Sequence, residues 1–347
     1  MKFCLAPMDG ITDAAFRLIT AQIFDRYNDN TQNELYLFTE FMSADWYIHN
    51  PKAVVKHILD TENEKKLIFQ IFGNKEKYLI DTAIDLQKKY NPFGIELNIG
   101  CPSPKVVAHG SGSGMLKDKV STLEIIKKLR QVVNTKFSIK TRTWLNTSDR
   151  AEQFDFVLQA SKYCDFISLH GRTFKQWHSG DVDWQFIYDL KSSIITDCQI
   201  FGNWWIKTYD DIAARLGNLD GIMIGQASIG NPWIFTSHTP DLYEKWETII
   251  QHLDMMIAFE IWFKPQSFEN NILNMPGLED LHEIIRSYDT LDNEIKNSLK
   301  SSIEFRKHIF SYIKWIPETH KFKEKIIKIT DYIILKEEIR RFFDIAV

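Results

Sequence analysis

Short runs of β-branched and aromatic residues recur along the first two thirds of the chain. Between them lie longer stretches in which apolar residues return every three or four positions. The runs predict strands at about 2–6, 34–40, 67–72, 94–99, 136–142, 165–170, 198–202 and 220–225. Lys75–Tyr90, Ser121–Val133, Asp149–Tyr163 and Thr208–Gly217 carry the spacing of amphipathic helices. Strands alternating with helices pair in parallel. Eight of them in about 230 residues predict a closed (β/α)8 TIM barrel, a fold of roughly 250 residues. The competing architecture is an open doubly wound sheet, against which no GxGxxG follows the first strand. The strand rhythm stops near Asp241. From there Tyr243–Phe263, Leu278–Ser287, Lys296–Trp315 and His320–Phe343 read as helices, with a surface loop at 264–277 marked by Pro265, Pro276 and several asparagines. The expectation is an α/β barrel over residues 1–240 and a small all-α helical domain over residues 241–347.

The strand ends carry the candidate chemistry. In order they read Pro7-Met8-Asp9, Glu40, Gln70, Asn98, Lys140-Thr141-Arg142, His170-Gly171-Arg172, Asn203 and Gly225-Gln226. One polar residue in such a place can be a helix N-cap. A succession of them describes a rim lined with hydrogen-bonding groups, where a barrel keeps its reactive residues. The centre of that rim is Gly94–Gly114. Its strand holds one carboxylate and one amide, Glu96 and Asn98, then breaks at Gly100-Cys101-Pro102, which sets a thiol on a turn. Gly110, Gly112 and Gly114 alternate with serines and predict a backbone that a bulky ligand can approach closely. Gln226-Ala227-Ser228-Ile229-Gly230-Asn231-Pro232-Trp233 reads either as a phosphate-holding loop feeding a short helix or as an ordinary glycine-containing loop.

Composition narrows the setting. With 44% hydrophobic and 25% charged residues over 347 positions, the chain has the make-up of a soluble globular protein. Cys4, Cys101, Cys164 and Cys198 form no CxxC and no close pair, so neither a zinc site nor a disulfide framework is indicated, and a reducing cytoplasm is the expected location. No apolar run reaches the ~18 residues of a membrane span, and Met1 runs into Phe3-Cys4-Leu5-Ala6-Pro7-Met8 without a signal-peptide layout. No membrane contact and no obligate protein partner are expected. A formal charge of −4 confines any nucleic-acid contact to a local patch. The tail offers one: residues 241–299 hold 4 Lys/Arg against 12 Asp/Glu, whereas residues 300–341 hold 11 against 6. There Arg306-Lys307-His308, Lys314, Lys321, Lys323, Lys325 and Lys328 lie among Tyr312, Trp315 and Phe322. This is either a surface for a phosphate backbone with unstacked bases or a solvated lysine face.

Taken in order, the motifs resemble the tRNA-dihydrouridine synthases, a family of flavin enzymes, over nearly the whole chain. Ala6-Pro7-Met8-Asp9-Gly10-Ile11-Thr12-Asp13 is similar to the family's opening motif and Glu96-Leu97-Asn98-Ile99-Gly100-Cys101-Pro102 to its central one. Ile139-Lys140-Thr141-Arg142, Leu169-His170-Gly171-Arg172-Thr173 with Ser179-Gly180 and Asp183-Trp184, and Met223-Ile224-Gly225 with Gly230-Asn231-Pro232-Trp233 continue the likeness. Phe305-Arg306-Lys307-His308 with Tyr312 resembles the helical-domain pattern.

The resemblance implies an FMN-binding barrel, a helical tRNA-binding domain, and NADPH-dependent reduction of uridines in tRNA to 5,6-dihydrouridine. It implies hydride delivery from flavin N5 to uracil C6, with the proton for C5 coming from Cys101. A thiol near its ordinary ~8.5 is mostly protonated at neutral pH and can donate. In the same way Pro7, Met8 and Asp9 would back the isoalloxazine, and Gln70 and Asn98 would hydrogen-bond the flavin edge or the substrate base. Lys140 would meet the negative charge at flavin N1 and O2. His170 would hold the flavin or its phosphate, and Asn203, Gly225 and Gln226 would complete the phosphate cradle. Arg142 is implied on the substrate side, Arg172 and Lys175 at FMN phosphate or tRNA, and Arg306 and Lys307 at tRNA.

Two departures from the family pattern stand out. Asn203-Trp204-Trp205 replaces the usual Asn-Gly-Asp, and Gly225-Gln226 replaces Gly-Arg. Losing a charge-assisted phosphate contact, worth about 1.5–3 kcal/mol, predicts weaker FMN retention unless Arg172 or backbone N–H groups compensate. Two other functions stay open. One is a flavin reductase of free pyrimidines, which has no use for the basic tail. The other is an RNA-binding protein without catalysis, against which Cys101 and Lys140 both stand. The position of the modified uridine is not written in these patterns.

Overall fold

A computed structural model describes residues 1–59, 64–143, 147–176, 180–203, 206–263, 277–314 and 316–346. Eight parallel strands close into a barrel: β1 Lys2–Leu5, β2 Glu34–Phe38, β3 Leu67–Phe72, β4 Gly94–Asn98, β5 Lys136–Arg142, β6 Phe166–His170, β7 Gln199–Asn203 and β8 Gly221–Ile224. Each pairs with its neighbour in sequence, and β8 returns to β1 with Met223 opposite Cys4. Pairing of Leu37 with Leu67 and Phe38 with Ile68 seals β2 against β3, which excludes the open sheet. A two-residue strand, Met42–Ser43, adds to the end of β3.

Side chains alternate across a strand, so every second residue points into the barrel. Cys4, Tyr36, Phe38, Ile68, Phe166, Phe201 and Met223 form one buried cluster there, with Tyr36 edge-on to Phe166 and Phe201 at 6.1 and 5.6 Å. Further along, the inward faces turn polar: Gln70 follows Ile68 and Asn203 follows Phe201, while β4, β5 and β6 present Glu96 with Asn98, Ser138 with Lys140 and Ser168 with His170. The interior is therefore apolar at its base and polar toward the carboxyl ends of the strands.

Contacts divide the chain into two compact units. One comprises Met1–Asp9, Asn30–Ile58 and Lys65–Gly225, and the other Gly10–Asp29, Leu59–Glu64 and Gln226–Val347. In the first, the helices Glu76–Tyr90, Lys119–Val132, Arg150–Ala160, Trp184–Ser193 and Tyr209–Leu216 follow β3 to β7. They start where their sequences dictate. The Asp118 and Asp183 carboxylates accept from the Ser121 and Phe186 N–H groups, and Thr208 with Asp211 forms a reciprocal capping box.

In the second unit, helix Ala14–Tyr27 shares a core with the tail through Leu18, Ile19, Ile249, Leu253, Ile309 and Leu335. It is buried on nearly every side from Ala14 to Ala21, so it shows no clear polar stripe. The two long helices expected at the end of the chain are instead five: Asn293–Ser298, Ser301–Glu304 and Arg306–Tyr312, then Thr319–Ile326 and Tyr332–Ala346. The carboxylate of Glu260 accepts from the N–H groups of Lys300 and Ser301 at 2.8 Å and so starts a new helix there. Asp331 does the same for the last helix, accepting from Ile334 N–H at 2.9 Å. Gly230, at φ +68°, lies where an added Cβ would come within 2.3 Å of the Tyr312 nitrogen, which accounts for that glycine by packing. Residues 264–276, Ser179, Trp204-Trp205 and Trp315 lie outside the described residues.

Candidate active site

A directed chain of hydrogen bonds runs from the barrel interior to the thiol. Glu96 is fully buried; its Oε1 accepts from Gln70 Nε2 at 2.6 Å and its Oε2 from the Ser138 and Ser168 hydroxyls at 3.2 and 3.4 Å. In its ionised form, which the Lys140 attraction and these three bonds favour against burial, the Glu96 carboxylate only accepts. Gln70 must therefore turn its amide nitrogen to Glu96 and its Oε1 outward, where it accepts from Asn98 Nδ2 at 2.9 Å. Asn98 is oriented in turn, and its Oδ1 accepts from the backbone N–H groups of Gly100 and Cys101, each at 3.0 Å. Two amides in series thus transmit the polarity of one buried carboxylate to the turn that carries Cys101.

The far side of that turn is closed by its own loop. The Cys101 carbonyl accepts from Ser113 N–H at 3.0 Å and from the Ser113 hydroxyl at 2.9 Å. Gly112 has φ +57°, and a Cβ there would stand 2.9 Å from the Cys101 carbonyl oxygen and from Val106 Cγ1. Gly112 therefore folds the loop back on the thiol turn, its own space filled by Cys101, while a Cβ on Gly110 would meet Asn74 Nδ2 at 2.9 Å and one on Gly114 the Val107 carbonyl at 3.2 Å. Gly112→Ala is expected to destabilise the protein by about 1–3 kcal/mol, read as a lower melting temperature together with a changed rate of Cys101 alkylation.

Electrostatics suit an acid. Burial raises the Cys101 thiol above its ordinary value, against the opposite pull of the Ser103 N–H and the Lys140 and Arg142 cations, although the residue is only half-buried. Burial also pushes the Glu96 carboxyl up and the Lys140 ammonium down, and the attraction between the two opposes both shifts. Asn203 donates its Nδ2 to the Met223 carbonyl at 2.8 Å, which turns its Oδ1 toward Lys140 Nζ at 3.4 Å. Among the described residues this long bond is the one hydrogen bond of the Lys140 ammonium, which has three donors.

The Dihydrouridine synthase (Dus) family model matches residues 4–345. The chain belongs to that family. It is 26% identical over 352 residues to the "Probable tRNA-dihydrouridine synthase" of Helicobacter pylori (strain J99 / ATCC 700824), covering 98% of this chain and 91% of that protein. The protein of the same name from Rickettsia conorii (strain ATCC VR-613 / Malish 7) is 25% identical over 343 residues, with 98% and 92% covered. That from Aquifex aeolicus (strain VF5) is 28% identical over 266 residues, with 74% and 80% covered. A variant of the Sulfolobus solfataricus 2-keto-3-deoxygluconate aldolase covers 95% of this chain and all of its own (100%) at a TM-score of 0.42 and 13% identity, a likeness too loose to bear on the fold.

The remaining residues that the family resemblance singled out fall into distinct surroundings. Pro7 and Met8 are half-buried and Asp9 exposed in the turn after β1; a Cβ on Gly225 would lie 3.5 Å from Met8 Sδ. His170 is buried at the end of β6. Arg142 and Arg172, expected toward RNA or phosphate, are both buried. Arg142 donates from Nε to the Gly100 carbonyl and from Nη1 to the Thr173 carbonyl, each at 2.9 Å, and Arg172 donates from Nε to the Gly180 carbonyl at 2.8 Å. They brace the loops after β4 and β6 from inside. Lys175 is exposed.

In the second unit Gln226 is exposed, Arg306 Nη2 donates to the Ile329 carbonyl at 2.7 Å, and Lys307 Nζ donates to the Gly10 carbonyl at 3.3 Å. Of the aromatics placed among these lysines, Tyr312 and Phe322 belong to the core, while Lys314, Lys321, Lys325 and Lys328 are exposed. Glu96, Ser138 and Ser168 were not among the expected site residues. The signal for Glu96 was present, since a residue two positions before Asn98 shares its face of the strand.

Proposed function

We propose that the chain is a tRNA-dihydrouridine synthase that reduces specific uridines of tRNA to 5,6-dihydrouridine, with bound FMN and with NADPH as reductant. In this reading residues 1–240 perform the chemistry and residues 241–347 bind tRNA, in the cytoplasm; no described helix is long and apolar enough to cross a membrane. The observation that carries it is a half-buried thiol on a turn whose backbone Asn98 holds, with burial favouring its protonated form, in a chain matched by the family along its length.

The donor set fits FMN. A half-buried ammonium with unused donors suits the anionic N1–C2=O edge of a reduced isoalloxazine, and Gln70 and Asn98 each keep a second amide hydrogen for the cofactor or the base. When bound, FMN supplies a hydride from N5 to uracil C6. Cys101 Sγ gives its proton to C5, so that hydride and proton together saturate the C5–C6 bond. Lys140, Arg142 and the Ser103 N–H favour the resulting thiolate, which regains its proton from solvent. Pro7, Met8, Asp9, His170 and Asn203 would line the cofactor. Lys175, Arg306 and Lys307, with exposed lysines of the tail, would meet tRNA phosphates. The base must leave its stack to reach the thiol, at a cost of a few kcal/mol.

Mapping dihydrouridine in tRNA from cells lacking this chain tests the proposal. One or more positions should lose the modification and regain it with the wild-type copy. Unchanged tRNA, combined with reduction of free uracil by the purified protein, would favour the small-molecule reductase. The Gln226→Arg protein is expected to hold FMN about ten- to a hundredfold more tightly by fluorescence titration, as one charge-assisted phosphate contact is restored. Equal affinities would show that Gln226 does not weaken the phosphate site.

A further inference from the structure

Three segments of the second unit, far apart in sequence, bring metal-ligating groups to one place. Asp13 caps helix Ala14–Tyr27, His252 lies in helix Leu242–Phe263, and His308 lies in Arg306–Tyr312. One donor atom from each falls within 4.8 Å of the others, and Asp13 Oδ2 is 3.7 Å from His308 Nε2, beyond hydrogen-bond reach. Both imidazoles are fully buried. Among the described residues, His252 Nε2 and both ring nitrogens of His308 have no hydrogen-bond partner. Buried polar atoms are almost always paired, so orphaned nitrogens beside a carboxylate call for an occupant.

The surroundings select the kind of occupant. His252 Nδ1 lies 3.2 Å from the Tyr312 hydroxyl; with the proton on Nδ1 and donated there, Nε2 carries the lone pair. Two imidazoles and a carboxyl group are a donor set for a borderline divalent cation. A proton shared by Asp13 and His308 would bridge two of the three groups and leave His252 Nε2 orphaned.

Phe16 lies over both rings at 5.6 and 5.2 Å and Phe305 stands edge-on to His252 at 5.3 Å, an apolar wall around the donors. The spacing is wider than the roughly 3.3 Å between ligands of a tetrahedral zinc shell. Asp13 can close it, because its Oδ1 is anchored to Phe16 N–H at 2.9 Å while its Oδ2 is left to turn inward. Its side chain is 27% exposed, which leaves an access path and a position for water.

We infer that Asp13, His252 and His308 bind one divalent transition-metal ion, Zn²⁺ by the chemistry of the donors, as a structural clip joining the first helix to two helices of the tail. The inference does not depend on the proposed reaction. Tag-free full-length protein, stripped with chelator and titrated with Co²⁺, should take up one ion per chain with the visible d–d bands of a four-coordinate site. Zn²⁺ should displace it and raise the melting temperature. His308→Gln and Asp13→Asn should lose the bands. Tyr312→Phe, which removes only the hydroxyl behind His252, should keep the fold by circular dichroism and weaken Zn²⁺ about 10–100-fold. Absence of the bands and of any thermal shift in the wild type, or equal Co²⁺ uptake by all three variants, would overturn the inference.

Discussion

Cys101→Ala is expected to lower dihydrouridine formation by about 10²–10⁴-fold, the range for removing a positioned general acid. Reduction of the bound flavin by NADPH should proceed at roughly the wild-type rate, because that half of the cycle asks nothing of the thiol. The fold should tolerate the change, since the turn is held through its backbone by Asn98 and Ser113 and not through the sulfur. The pH dependence carries the same signature. Burial disfavours the thiolate, so the acid remains protonated to a higher pH than a free thiol, and Cys101 alkylation should rise with a midpoint above the ordinary value. Stopped-flow flavin oxidation by tRNA and dihydrouridine analysis read the two half-reactions separately. If the alanine variant turns over at the wild-type rate, another group supplies the proton.

Glu96→Gln is expected to act at a distance from the thiol. The new amide offers both a donor and an acceptor where the carboxylate only accepts, so Gln70 loses the constraint that turns its Oε1 toward Asn98. If Gln70 flips, Asn98 must flip too, and its Nδ2 then faces the N–H groups of Gly100 and Cys101 that its Oδ1 now accepts from. Stability should change little, because the lost charge-assisted bond is offset by relief of a carboxylate that burial already disfavours, its value pushed up to about 7. Displacement of the thiol turn predicts more than tenfold lower activity, the order expected for a reacting group moved by a fraction of an ångström. Removing the carboxylate also removes the attraction that supports the Lys140 ammonium, so burial would lower Lys140 further and its deprotonation should appear at lower pH in the variant. Glu96→Asp, which keeps an acceptor-only group, should recover part of the activity. Equal activity in Glu96→Gln and wild type would show that the amide chain does not hold the turn.

The barrel and its rim were legible in the sequence because their signals are local. Period-two alternation sets which strand residues face inward, and a polar residue after an apolar one, as in Ile68–Gln70 or Phe201–Asn203, shows where the interior turns wet. Cys101 on its turn and Lys140 on β5 could be read the same way, with the family likeness naming their chemistry. What only the tertiary structure decided depends on partners distant in the chain. Ser168 reaches Glu96 across 72 positions, and Glu260 breaks an expected helix 40 positions away by capping Lys300. Tyr312 and Phe322 pass from expected base-stacking surface to core, and Arg142 and Arg172 from outer rim to inner brace, because helical or strand spacing does not say which neighbour a side chain will meet. The grouping of Asp13 with His252 and His308 is of the same kind. A periodic pattern encodes which face of an element is buried, while the contact it makes there is set by the packing of elements that the pattern cannot see.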